Sequence, residues 1–428
     1  MTALPPGSSA PPALQTLRWL VRPISFLEAN RRAFGDAFSV MFLGFKSPMI
    51  MLSDPAAIRA LYTERANGLP PGRTVTLRPI MGDRSVLLLE GADHLARRKV
   101  MLPPFHGDRM RAYEPIVRDA AEREIARWPA GEAFPVHPSM QTVTLEVILR
   151  AVFGVEDRGR RSELSRLLGG LLARTSSPAL QFGILAARRF GFNGPLEKIE
   201  RDNADLDALL LAEIKAHGED GDDILSLLKA ARFEDGEPMS DREIRDQLVT
   251  LLLAGHETTA TALAWTFDLL LRHPAVLERL TAAVDAGEDA YVRATVSEAL
   301  RLRPVVPLAG RRLTVPLETP DLSLPAGTDV TPAIWLTHTR EDIYPEPYAF
   351  RPERFLDGGP PSYAWIPFGG GVRRCLGAAF AELEMRVVLT AVLRARVLRP
   401  ASPSAERVAR RNVTFSPAGG TRILAAAR

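Results

Sequence analysis

Apolar and polar residues alternate with a helical rhythm from near the start of this chain to about Arg303, and the rhythm then shortens. Apolar positions three and four residues apart predict helices over Asp54–Arg65, Gly91–Met101, Arg109–Trp128, Val143–Phe153, Glu163–Leu172, Ile199–His217 and Ile224–Ala231. Asp54 supplies a cap for the first of them. Ser240, with Asp241 and Glu243 behind it, opens a long segment that runs to Arg272. Ala275–Ala286 stops at Gly287, and Tyr291–Arg303 follows. Beyond Pro304 the pieces are strand-like: Arg312–Val315, Leu322–Leu324 and Asp329–Ile334. Pro-rich loops fill Tyr344–Pro367, one more helix covers Leu376–Ala395, and Val413–Leu424 reads as two short strands around a turn at Ser416–Gly420. The fold class expected is mainly α with a small β region. A single domain covers 21–428, after a flexible Pro-rich tail over 1–20. The segment Leu17–Leu27 is either a packed first helix or a piece that grazes a membrane or a substrate entrance.

Composition narrows the function classes. A chain of 428 residues with 46% hydrophobic content can bury one large core. Lys and Arg total 54 against 51 Asp and Glu, a formal net charge of +3. Only Lys46, Lys99, Lys198, Lys215 and Lys229 are lysines, and the arginines are scattered among acids. That pattern argues against nucleic acid and leaves a weakly basic face for an acidic protein partner. One cysteine makes no intramolecular disulfide, so nothing calls for an oxidising compartment. No apolar run is long enough to span a bilayer, and the start, broken by Pro5, Pro6, Pro11 and Pro12, lacks a signal-peptide core. The reading is a cytoplasmic protein without integral membrane association.

The richest segment is Phe368-Gly-Gly-Gly-Val-Arg-Arg-Cys375-Leu-Gly377. A glycine turn brings the lone cysteine to the start of a helix, where free N–H groups and the dipole favour thiolate over thiol. Arg373 and Arg374 add positive charge, and either can bind a carboxylate. An inert core cysteine and a nucleophile are the other readings of such a residue; a nucleophile needs a base, and the seven histidines form no cysteine-hydrolase pattern. A thiolate on haem iron pushes electron density toward bound oxygen. Phe368-x-x-Gly371-x-Arg373-x-Cys375-x-Gly377 resembles the haem-binding signature of the cytochrome P-450 family.

A second motif, Ala254-Gly255-His256-Glu257-Thr258-Thr259, interrupts the long helix with a glycine, an acid and two hydroxyls. A zinc-protease reading of His256-Glu257 fails because position 260 is Ala260. A kinked helix with a solvated Glu257 is the plain structural alternative. The motif resembles the family's oxygen-activation segment, which implies that Thr258 hydrogen-bonds the bound oxygen and Glu257 relays protons. Glu298 and Arg301, three apart on one helix, together with Arg354 in Phe350-Arg-Pro-Glu-Arg-Phe355, resemble the family's buried charge network behind the cysteine loop. His94 and Arg98 share one helix face; with Arg311 and Arg373 they resemble the positions that bind the haem carboxylates, although Arg312 is adjacent to Arg311.

The resemblance, spanning about Asp54 to Thr421, implies the P-450 fold as one domain, haem b (iron protoporphyrin IX) as cofactor and Cys375 as its metal ligand. Ala254, Gly255, Phe368, Gly369 and Gly377 line the cofactor with His94, Arg98, Arg311 and Arg373, and Glu257 and Thr258 are the catalytic pair. It also implies insertion of one atom of O₂ into a hydrophobic small molecule such as a terpenoid, a steroid or a fatty-acid-like chain. The pocket walls fall on Pro70–Leu88, Leu171–Phe192, Leu248–Thr259, Val305–Ala309 and Ser416–Gly420, which are largely apolar. The terminal strands lie near the chain's end, so no fused reductase is expected. Electrons then come from a ferredoxin or flavodoxin type donor with its reductase, docking near Arg97, Arg109, Arg111 and Arg374. A peroxide-driven or isomerising haem-thiolate enzyme and a haem sensor without turnover are the alternatives.

Overall fold

The computed structural model describes residues 4–63, 78, 80–154, 159, 163–167, 169–170, 194–411 and 413–428. Its axis is the helix Asp241–Arg272, capped as the sequence predicts: Ser240 Oγ accepts from the Glu243 N–H, and Glu243 reaches back to the Ser240 N–H. This helix is buried over most of its length and packs most extensively on Val136–Phe153. Helix Ala378–Ala395, which begins just after Cys375, packs on Arg109–Ala126, on the long helix and on Asp289–Leu302. One apolar cluster, including Val147, Leu248, Leu263, Phe267, Val388 and Val392, joins these helices.

The β region is one four-stranded sheet with small satellites. Ala37–Val40 pairs antiparallel with Met49–Leu52, which pairs parallel with Asp329–Pro332, which pairs antiparallel with Arg311–Arg312. The sequence pattern misses the first two strands. MIML carries no alternation because both faces of that strand are covered. The predicted strand Arg312–Val315 shrinks to Arg311–Arg312, since Leu313 turns to bond Thr328 and Gly327. The two C-terminal strands do not pair with each other. Thr414–Pro417 folds back on Val408–Arg411, and Arg422–Ala427 crosses to Arg396–Pro400 and Phe134–Pro135.

Helix boundaries follow the pattern with informative exceptions. Gly91–Met101 is as predicted. Asp54 Oδ2 accepts from the Ala57 N–H at 2.8 Å and starts Pro55–Thr63; the last two residues of that predicted helix lie outside the described residues. Residues 163–167 are helical, and the end of the helix predicted over Glu163–Leu172 lies outside them too. The helix predicted from Val143 starts at Val136, because Pro138 falls in its first turn, where no N–H is needed. The segment expected as a flexible tail is helical from Pro12 to Val21 and is followed by Pro23–Phe34. Trp19 explains this: its ring lies 6.0–6.3 Å from those of Phe26, Phe42 and Phe415, a cluster with no sequence-local signal. No described helix is long and apolar enough to cross a membrane.

Candidate functional site

Three main-chain bonds close the loop before Cys375. The N–H groups of Gly369, Arg374 and Cys375 donate to the carbonyls of Ile366, Gly371 and Phe368 at 3.0, 3.1 and 3.0 Å. Gly369 and Gly371 have φ of 66° and 64°, which glycine tolerates best. A Cβ on Gly370 would lie 2.4 Å from Tyr62 Cδ2, and one on Gly371 would lie 2.3 Å from the Tyr62 carbonyl oxygen. The glycines therefore let the loop close on the last turn of Pro55–Thr63. Burial pushes the Cys375 thiol pKa up; the Gly377 N–H, Arg374 and Arg98 pull it down. The residue is exposed although protein surrounds its sulfur, as expected of a group on an interior cavity.

Three arginines and a histidine converge beside it from three chain segments. His94 is 4% exposed, and burial followed by Arg373, Arg98 and Arg311 lowers its pKa to about 4. Arg98 is close enough to Cys375 for each to act on the other, and burial lowers the Arg98 pKa. Arg311 is buried, with its guanidinium carbon 5.5 Å from the Tyr62 ring centroid. Among the described residues no carboxylate influences Arg98 or Arg311. Arg312, by contrast, pairs with Asp329 at 3.1 Å, which leaves Arg311 as the residue turned toward the cluster. Guanidiniums such as these two, half-buried at Arg98 and buried at Arg311 with no carboxylate acting on them, are costly unless an anion joins them. A flat group carrying two carboxylates and a metal that takes a thiolate fits this donor set. Tyr62 adds to the fit: its hydroxyl is buried without a partner, and a Cβ on Gly369 would lie 3.8 Å from that oxygen. No spacing or pattern in the sequence singles Tyr62 out.

The long helix runs unbroken through Ala254–Thr259. Ala254 is nevertheless exposed, between buried Leu252 and His256, so this helix has an open stretch in the middle of the core. A Cβ on Gly255 would meet only Ile148 Cδ1, at an ordinary 3.5 Å. Thr258 Oγ1 donates to the Ala254 carbonyl at 2.6 Å. Glu257 points to the neighbouring helix, where Gln141 Nε2 donates to it at 2.5 Å and His137 Nε2 lies 3.6 Å away. Burial raises the Glu257 pKa, while Gln141, Arg411 and Thr261 oppose the rise. His137 meets Thr261 at 3.1 Å and His256 meets Thr144 at 2.9 Å, and burial lowers both histidine pKa values to about 4. On the cysteine helix Glu384 is fully buried, touches Thr259 and is pushed up to about 8 by burial. Sequence reasoning found the acid of the motif but not Gln141, His137, Thr144 and Glu384, which come from two other helices.

A clamp joins the two halves. Gln247 donates to the Arg84 carbonyl at 2.5 Å and accepts from the Val86 N–H at 3.0 Å; three residues on, Arg373 donates to the Leu89 carbonyl at 2.6 Å. Behind the cysteine loop, Glu298 and Arg301 are both fully buried and bonded twice, at 2.6 and 2.7 Å. Arg354 Nε lies 3.4 Å from Glu298, so the three residues matched by sequence come together. Arg301 also donates to the carbonyls of His338, Pro347 and Ala349.

His338, missed by sequence reasoning, is fully buried, with Nδ1 3.0 Å from the Arg301 carbonyl and Nε2 accepting from the Ile366 N–H at 2.8 Å. Only the neutral Nδ1–H form satisfies both bonds. Burial, with Arg301 next, lowers its pKa to about 3. The folded pKa lies below the unfolded value near 6.5, so the contribution is full above about pH 6.5 and is lost as pH falls toward about 3. The expected outcome is that His338→Gln loses stability at pH 7 yet has a flatter acid limb. Between pH 6 and 4 its unfolding free energy should depend on pH less steeply than wild type, by about 1.4 kcal/mol per unit, read from denaturant midpoints.

Several expected positions fall elsewhere. Arg97 cannot serve docking, because it is held by Asp93 and Glu243 at 2.9 and 2.6 Å. Arg109 and Arg111 pair with Asp222 and Asp108, whereas Arg374 is exposed. In the turn Ser416–Gly420, Ser416 is buried and Gly420 packs on Pro135 and His137, while Ala418 and Gly419 are exposed. Of the other expected walls, Leu171–Phe192 and residues 70–77 and 79 lie outside the described residues.

A model of the Cytochrome P450 family matches residues 5–406 of the chain. Cytochrome P450 135B1 of Mycobacterium tuberculosis is 40% identical over 98% of this chain and 91% of its own length. Cytochrome P450 138 of the same organism is 37% identical over 98% and 96%. Among solved structures, a cyanobacterial CYP120A1 with retinoic acid bound superposes with a TM-score of 0.84 at 26% identity, covering 99% of both chains.

Proposed function

The chain belongs to the cytochrome P450 family, and from that premise we propose which of its residues carry the reaction and what kind of molecule it oxidises. The enzyme is a haem-thiolate monooxygenase with protoporphyrin IX haem as cofactor. When bound, that group supplies the activation of O₂, and a thiolate ligand favours cleavage of the O–O bond.

Cys375 would hold the cofactor's iron in this reading. The observation that carries it is the meeting of an interior-facing cysteine with His94, Arg98, Arg311 and Arg373, where no carboxylate influences Arg98 or Arg311. These four side chains hold the cofactor's carboxylates, His94 as a neutral donor. Gly369, Gly377 and Phe368 would line the cofactor from the cysteine loop, and Ala254 and Gly255 would line it from the long helix. The test is the absorption band of the reduced carbon monoxide complex in single variants. Arg98→Ala and Arg311→Ala keep the red-shifted band from which the family takes its name, while haem loss to a scavenging apoprotein speeds up about tenfold each, a loss of about 1.4 kcal/mol. Unchanged haem loss in both variants rules out the anchoring role.

Thr258 and Glu257 handle protons. The Thr258 hydroxyl spends its hydrogen on the Ala254 carbonyl, which leaves its lone pairs to accept from a neighbour in the open stretch. Glu257 sits between that stretch and the polar row of Gln141 and His137, and burial keeps its proton exchangeable nearer neutrality. Thr258→Ala lowers product per electron pair at least about tenfold, with peroxide released instead, as measured against reductant consumed. Full coupling in that variant, or turnover by peroxide alone at the wild-type rate, favours the peroxide-driven reading.

The substrate is a hydrophobic small molecule of terpenoid, steroid or fatty-acid type. The open stretch of the long helix is lined by Ala254 and partly buried Leu251 and Leu253, which ask for no charge partner. The solved relative's retinoic acid, an isoprenoid acid, is of the same character. Electrons come from a separate ferredoxin or flavodoxin type protein and its reductase, with exposed Arg374 at the docking face. Screening these classes for displacement of the iron's water ligand identifies the substrate.

A further inference from the structure

The N-terminal helix Pro12–Val21 is packed on one side only. Gln15 and Trp19 are buried, while Leu14, Leu17, Leu20 and Val21 are 38%, 55%, 48% and 65% exposed. At 100° per residue the exposed positions fall together, with Leu14, Leu17 and Val21 central and Leu20 at the edge. Leu20 lies near Thr16, whose hydroxyl accepts from the Leu43 N–H at 2.8 Å, which brings the loop 41–46 to that edge. There Leu43 and Phe45 are 61% and 40% exposed, and Phe45 meets the Phe42 ring edge-on at 6.1 Å. The result is a continuous surface of six large apolar side chains. Single exposed apolar residues are ordinary, but a contiguous patch marks an interaction surface.

The two segments that form it, 12–22 and 41–46, carry charge of one sign. Arg18, Arg22 and Lys46 are exposed beside the patch and form no ion pair among the described residues. The chain carries no acid before Glu28, and none between Asp36 and Asp54. Glu28 faces away, bonded to Trp335 and Tyr348, and Asp36 is held by Arg31 and Arg340. A patch of leucines, a valine and a phenylalanine, rimmed by cations and free of acids, matches the headgroup boundary of an anionic bilayer.

We propose that this face docks the enzyme on the surface of an anionic lipid membrane, with the N-terminal helix lying in the plane of the headgroups. Binding is peripheral, since ten residues of helix are too short to span a bilayer. Attachment needs both parts: the apolar side chains enter the boundary region, and the three basic residues hold the surface, each contributing about fivefold in partitioning.

The test uses the full-length haem-loaded protein and vesicles of phosphatidylcholine, with or without one part in three of phosphatidylglycerol. Wild type should sediment with the anionic vesicles and stay in solution with the neutral ones. Leu17→Glu with Val21→Glu should abolish sedimentation, and Arg18→Glu with Arg22→Glu should weaken it at least twentyfold, with the haem spectrum and melting temperature unchanged in both. Equal binding to neutral and anionic vesicles overturns the proposal, as does failure to bind either. A concentration-dependent dimer of wild type that Leu17→Glu with Val21→Glu dissolves, without vesicle binding, also overturns it and assigns the face to a second copy of the chain.

Discussion

Replacing Cys375 by serine leaves a protein that takes up haem and has no monooxygenase activity. The cluster of His94, Arg98, Arg311 and Arg373 is untouched, so the cofactor's carboxylates keep their partners. The Gly377 N–H and the dipole of the following helix still face the substituted atom. What disappears is the sulfur's electron donation, on which cleavage of the O–O bond depends. The reduced carbon monoxide complex should lose its red-shifted band, and product formation should drop below detection while haem content stays near one per chain. The same environment gives a second signature in the wild type. Without metal, burial holds the thiol protonated, so binding to iron expels a proton and haem uptake should accelerate as pH rises. Wild-type activity in the serine variant would exclude Cys375 as the ligand.

Arg301→Lys should fail to assemble. The guanidinium makes two short bonds to Glu298 and three to the carbonyls of His338, Pro347 and Ala349, all inside the protein. Lysine has three donors on one nitrogen and cannot span these five acceptors. Removing one partner of a buried pair costs about 3–5 kcal/mol, a large share of the roughly 5–15 kcal/mol that holds a domain folded. Expected results are a melting temperature lower by several degrees or more and haem content well below one per chain. Replacing both partners by leucine leaves three carbonyls and the Arg351 N–H without partners and takes the carboxylate from Arg354, so it recovers only part of the loss. Full recovery in the double variant would show that the pair acts only as a pair.

Much of this was legible in the chain because it is local. The cap at Ser240, the stop at Gly287 and the helix Gly91–Met101 are written in consecutive residues. So is the turn before Cys375, where the residue types reveal their backbone demands. The resemblance supplied what spacing alone could not, namely the cofactor and the grouping of Glu298, Arg301 and Arg354. What stayed hidden depends on partners far apart in sequence. Tyr62 matters because Gly369, Gly370 and Arg311 close on it, and His338 because Ile366 and Arg301 do. Strands such as Met49–Leu52 are set by a parallel neighbour nearly 300 residues away. Arg97 misled for the same reason: its surface appearance in sequence ended at Glu243, which another helix brings to it.

The clamp over residues 84–89 has a bearing on how substrate range can change. Gln247 grips it from the helix side through Arg84 and Val86, and Arg373 grips it from the cysteine side through Leu89. All of these grips land on main-chain atoms, so the width of the slot between helix and loop is gauged by peptide geometry. Side chains lining the slot can be exchanged, and the range of accepted molecules altered, while that gauge stays the same. Inserting or deleting a single residue between Arg84 and Leu89 would change the gauge itself.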